Sequence, residues 1–143
     1  MTTATITQAA VSFPTIIRHA LTCERVLLGL CFFILGLNGF LEFIPPPADP
    51  GPEEAMQFAM ALSRASYFFP LLKGVETIAG LMLLTKRYVP LALVLLAPIL
   101  VNIFAFHYFL AGSGVLLSLV LIAFALHLAW SYRAAFRPML AAN

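Results

Sequence analysis

Charge is scarce in this chain. Eight basic and six acidic residues among 143 make 10% of the side chains charged, where a soluble domain carries about 25%. Cysteine is scarcer still, at two residues with no C-x-x-C pair, which excludes a thioredoxin-like dithiol within the chain. Cys23 and Cys31 are eight positions apart. On one helix that puts their Cα atoms about 12 Å apart, too far for a disulfide, which needs less than about 7 Å. No zinc spacing, phosphate loop or dinucleotide fingerprint occurs. His107 and His127 would lie about 12 Å apart in depth below the Gly112–Gly114 turn, which rules out one haem iron held by both, and no metal is expected. No basic stripe exists outside the membrane edge, so nucleic acid is not a partner. Alternation at period two is absent, which excludes a transmembrane β-barrel. The first twenty residues lack a basic segment, a short apolar core and a small-residue cleavage site. The expectation is therefore an uncleaved chain whose first span acts as a signal anchor.

What is abundant is apolar surface: 62% of residues are hydrophobic and the mean hydropathy is +1.00. A bilayer core of about 30 Å needs about 20 helical residues. Four stretches of that size occur, at 25–44, 67–85, 88–111 and 114–132. Their few polar residues are Asn38 and Glu42 in the first, Lys73 and Glu76 in the second, Asn102 and His107 in the third, and His127 in the fourth. A soluble bundle would show a charged face along each run; here the charges fall between the runs. The reading is an all-α integral membrane four-helix bundle, a single domain over 1–143.

The basic residues divide unevenly. With four spans, both termini share one side with the loop between spans two and three. That side holds Arg18, Arg25, Lys86, Arg87, Arg133 and Arg137. The other has Arg64, the buried Lys73, and the acids Glu42, Asp49, Glu53 and Glu54. The positive-inside rule then places both termini in the cytoplasm.

Residues 1–13 read as a small, polar, mobile tail, and 14–21 as an interfacial helix leading into span one. The run P-P-P-A-D-P-G-P at 45–52 stops the first span, because proline cannot continue a helix. Glu53 and Glu54 suit the first turn of a new helix. That helix, 53–66, is amphipathic, with Met56, Met60 and Ser63 in one line and Phe58, Ala61 and Leu62 beside it. It is too short to span and lies on the outer surface or caps the bundle within the outer segment 45–66. Pro98 sits inside span three and frees the carbonyl of Val94.

Depth counted from the inner charges aligns a polar layer. Asn38, Lys73 and Asn102 each fall about 20 Å from the inner face, Glu76 about 5 Å deeper, and Glu42 and His107 nearer the outer surface. The fourth span offers Ser118 near this level. Glu76 is the residue that most needs an explanation, since a carboxylate at bilayer depth costs about 2.5–3.5 kcal/mol on insertion scales. Either it is neutral, or it is ionised against Lys73 or Arg25. Gly80 on the same stripe suits close helix contact, so the stripe faces the bundle. Each of these residues also has a structural reading. Lys73 can snorkel, the asparagines can glue helices together, and His107 can sit at the interface beside Tyr108.

Four segments together resemble the DoxX family of small bacterial membrane proteins. They are R-V-L-L-G-L-C-F-F-I-L-G-L-N-G-F (25–40) with F-I-P-P-P (43–47), Y-F-F-P-L-L-K-G-V-E-T-I-A-G-L-M-L-L (67–84), and R-Y-V-P-L-A-L-V-L-L-A-P-I-L-V-N-I-F-A-F-H (87–107). S-Y-R-A-A-F-R-P near the C-terminus extends the likeness over nearly the whole chain. The resemblance departs at Gly39, where family members often carry Lys after the first-span asparagine; Lys73 would have to supply that cation. It implies a four-helix bacterial inner-membrane protein, some of whose relatives serve redox complexes as quinone-linked subunits or as partners of soluble oxidoreductases.

Three functions follow as expectations. The first is a membrane subunit or partner of a quinone- or thiol-linked redox system. Glu76 would be the proton acceptor, and Asn38, Glu42, Lys73, Asn102 and His107 the surrounding polar layer. The chain itself would hold no cofactor; a quinone would be the bound one, and electrons would come from an oxidoreductase partner or from the bound quinone. The second is a non-enzymatic scaffold or assembly factor whose polar layer only specifies helix packing. The third is a small proton-coupled transporter, disfavoured by the lack of an internal repeat. A homo-oligomer is compatible with all three.

Overall fold

The computed structural model describes residues 13–46, 49 and 51–140. The expected mobile tail thus lies outside the described residues except for Phe13, as do three residues of the proline-rich run, Pro47, Ala48 and Pro50. Among the described residues the fold is helical throughout: α1 (Phe13–Leu41), α2 (Glu53–Arg64), α3 (Phe68–Leu84), α4 (Val89–Ala105), a π-helical segment (Phe106–Ala111), α5 (Val115–Ser131) and α6 (Arg133–Leu140).

Two helices are long and apolar enough to cross a membrane, Ile17–Leu41 and Val89–Ala111. The count rises to four if each of two bent pairs is one span: α2 with α3, bent by 94°, and α5 with α6, bent by 79°. Four independent spans are therefore not what length alone gives. At 17 residues each, α3 and α5 reach about 26 Å, slightly less than the hydrocarbon core.

Several boundaries differ from the sequence reading, each for a local reason. The interfacial helix and the first span are one continuous helix, because nothing between Ala20 and Arg25 breaks it. That helix stops at Leu41, three residues short of the expected Ile44 and ahead of the prolines. Glu42 takes the left-handed conformation with φ 49, and Asn38 Oδ1 accepts the Ile44 N–H at 2.7 Å, which closes the end. The outer helix begins at Glu53 as its acidic first turn suggests, and ends at Arg64.

The core is one apolar cluster built from α1 (Leu28, Phe32), α3 (Ala79, Leu83), α4 (Val89 to Leu100) and α5 (Leu128). The faces turned away from it carry exposed Leu27, Ile34, Leu81, Val101, Leu116 and Leu126. An apolar exterior of this extent is what a lipid-facing surface requires.

Candidate functional site

The closest helix pair, α1 against α3, is set by missing side chains. A Cβ on Gly36 would lie 2.6 Å from the Thr77 backbone nitrogen, and one on Gly80 2.8 Å from Phe33 Cα. Two backbones meet where glycine alone fits. This contact carries Glu76 into the bundle, where it is 4% exposed.

Glu76 is ion-paired. Lys73 Nζ donates to Glu76 Oε2 at 2.7 Å, one turn away on the same helix. Of the two cations considered for it, Lys73 takes the role. Arg25 is engaged elsewhere, donating through Nη1 to the carbonyls of Leu83 and Leu84, the latter at 3.2 Å. The Lys73 stem lies over Gly39, where a Cβ would overlap the stem's Cβ, Cγ and Cδ atoms. Lys73 therefore points inward to the carboxylate, with its side chain 22% exposed.

A cavity of about 350 Å³ opens above this pair. Cys31, Phe32 and Leu35 of α1, Lys73 and Glu76 of α3, and Ser118 and Leu121 of α5 form its inner walls. Phe58, Ala59 and Leu62 of α2 cover it, and Asn102, Phe106 and His107 close the α4 side. Leu35 and Leu117 line it too, yet are 45% and 62% exposed. Phe58, Ala59 and Asn102 of the lining are exposed as well, so the cavity is open to the surface.

His107 is held in one orientation. Its Nδ1 lies 2.7 Å from the Ser113 carbonyl oxygen. A carbonyl only accepts, so Nδ1 carries a proton and Nε2 is the ring nitrogen left free of this bond. Gly114 makes room for the ring: its φ is +80, and a Cβ there would lie 2.6 Å from Nδ1. The wider π-helical turn, Phe106–Ala111, carries His107 at the cavity, as such turns often do at functional sites.

Four of the six residues expected in the polar layer thus meet in one cavity: Lys73, Glu76, Asn102 and His107. Asn38 and Glu42 do not line it. Asn38 caps α1, and Glu42 is exposed beyond the helix end. The depth count gave Asn38 the same level as Lys73 and Asn102 but could not tell a capping amide from a site amide. Ser118 is 1% exposed and donates to the Val115 carbonyl at 2.7 Å. The α2 residues that line the cavity are Phe58, Ala59 and Leu62, and Ala55 is the buried residue of that helix. The spacing i, i+3, i+4, i+7 was the available signal.

The arrangement can hold a flat, mostly apolar ligand and exchange protons with it through a carboxylate and an imidazole. Among the described residues no three His, Cys, Asp or Glu side chains converge to hold a metal ion. Comparison of the chain with protein-family models, curated proteins and solved structures gives no match.

Proposed function

We propose that the chain is a DoxX-like protein of the bacterial inner membrane that serves a redox system by holding a quinone head group in the Lys73–Glu76 cavity. In this reading α1, α3, α4 with its π-helical extension, and α5 are the four spans of a bundle. The distribution of basic residues puts both termini in the cytoplasm.

The observation that carries the proposal is the cavity: apolar and aromatic walls from six helical elements around one ion pair, one amide and one imidazole. Ligand sites have this make-up, with many apolar contacts for affinity and a few polar groups for orientation. A quinone ring would lie against the aromatic lining of Phe32, Phe58, Phe69 and Phe106. Oxidation of a bound quinol would release two electrons, passed to an oxidoreductase partner, and two protons, for which Glu76 and His107 Nε2 would be the acceptors. Lys73, seated over Gly39, stands in for the cation that DoxX relatives carry after the first-span asparagine.

Organic extraction of the full-length protein purified in mild detergent, followed by mass spectrometry, tests the reading. A quinone at near one-to-one ratio is the expected result. Extracts holding only bulk phospholipid, together with full complementation of a deletion strain by Glu76→Gln, would instead favour the scaffold function.

A further inference from the structure

We propose a second site at the other end of the helices: an anion pocket that binds the phosphate of an anionic phospholipid head group. It needs only that α1 and α4 cross the bilayer, and it is independent of the quinone cavity. The pocket holds about 450 Å³ and is lined by Arg18, Arg25 and Lys86, with the hydroxyls of Thr22, Ser131 and Tyr132. Among the described residues no carboxylate lines it. Glu24, beside Arg25 in sequence, is bonded to His127 Nδ1 at 2.7 Å instead.

Arg25 is the fixed part of the site. It is 8% exposed, and its Nη1 is spent on the carbonyls at the end of α3. Guanidinium has five N–H donors, so Nε and Nη2 remain. Among the described residues they have no protein partner, yet no buried side-chain nitrogen or oxygen lacks one. Arg25 lines the pocket, and those donors are the ones left to meet a ligand there. A planar fork held by a helix end and lining a cationic cavity matches phosphate geometry.

The pocket's level argues for a lipid. Trp130 and Tyr88 are 70% and 67% exposed at this end of α5 and α4, where aromatic rings mark the head-group layer. Arg133 stacks over the Trp130 ring at 5.4 Å. Leu21 and Leu128 give the pocket an apolar floor. Basic pockets between spans at this depth take anionic head groups.

The third cation offers a clean test. Lys86 lies in the turn after α3 with φ 58, a conformation that strains a side-chain-bearing residue and suits glycine. Lys86→Gly therefore removes the charge without harming the fold. The full-length protein, wild type, Lys86→Gly and Arg18→Gln/Lys86→Gly, is titrated in detergent with phosphatidylglycerol, with phosphatidylcholine and with inorganic phosphate, and binding is read by native mass spectrometry and thermal shift. Expected are selective binding of phosphatidylglycerol, an affinity about 5-fold lower for Lys86→Gly and about 25-fold lower for the double variant, and unchanged or higher melting temperature without lipid for Lys86→Gly. Equal binding of phosphatidylcholine, or unchanged affinity in the double variant, would overturn the site. Saturation by inorganic phosphate alone would overturn the lipid assignment.

Discussion

Separating Lys73 from Glu76 should show which partner the fold cannot leave alone. The two charges are 2.7 Å apart. At an effective dielectric of about 20 their attraction is about 6 kcal/mol. Desolvation costs several kcal/mol per ion, so the net contribution of the pair is near zero, while breaking it is costly. The loss should be unequal because the burial is unequal. Lys73→Met strands a carboxylate that is 4% exposed, and about 3–5 kcal/mol is expected to be lost. Glu76→Gln leaves an ammonium on a long stem whose side chain is already 22% exposed. It can turn toward polar surroundings, and about 1–3 kcal/mol should be lost. The double variant strands no charge and should be more stable than Lys73→Met alone. The assay is thermal and denaturant stability of all four proteins in one detergent. Losses that add to within about 0.5 kcal/mol would refute the coupling.

The glycine contacts and the topology give further expectations. Gly80→Ala drives a methyl into the Phe33 backbone and the Gly29 carbonyl, so it should cost about 1–3 kcal/mol or prevent folding; an unchanged melting temperature would show that α1 and α3 are not this close. Gly39→Ala should push the Lys73 stem off its seat and produce part of the Lys73→Met stability loss, and its cost should shrink in a Lys73→Ala background, which lacks the Cγ and Cδ atoms that the methyl overlaps, as thermal melts of the four proteins would show. For topology, an alkaline phosphatase fusion near Gly51 should be active and one at the C-terminus inactive; the reverse pattern would invert the membrane orientation.

Much of the helical order was readable because apolar runs and basic flanks report directly on a bilayer. Glu76 could be singled out from depth alone, and Lys73 named as one of two partners from the i,i+3 spacing. The sequence did not say that Arg25 would instead bind the carbonyls of Leu83 and Leu84; that choice depends on where α3 ends beside α1. Asn38 illustrates the other limit. Its level matched that of Lys73 and Asn102, but a side chain four residues before a left-handed Glu42 meets the free Ile44 N–H before it meets a ligand. The roof was legible as an amphipathic α2 that includes Phe58 and Leu62, but its seat over the cavity needed tertiary information. The π-helical turn that carries His107 had no recognised signal, because its wider winding depends on the hydrogen bonds that end α4 rather than on composition.

Photolabelling with an azido-quinone tests the quinone cavity most directly. The full-length protein is reconstituted in lipid nanodiscs, irradiated with the probe, and mapped by peptide mass spectrometry. Label is expected on α2 around Phe58–Leu62, on α3 around Leu72–Glu76, and on Phe106 or His107, competed away by unlabelled quinone and reduced in Glu76→Gln. Label confined to lipid-facing positions such as Leu116 and Leu126, or not competed by quinone, would contradict a quinone site in the cavity.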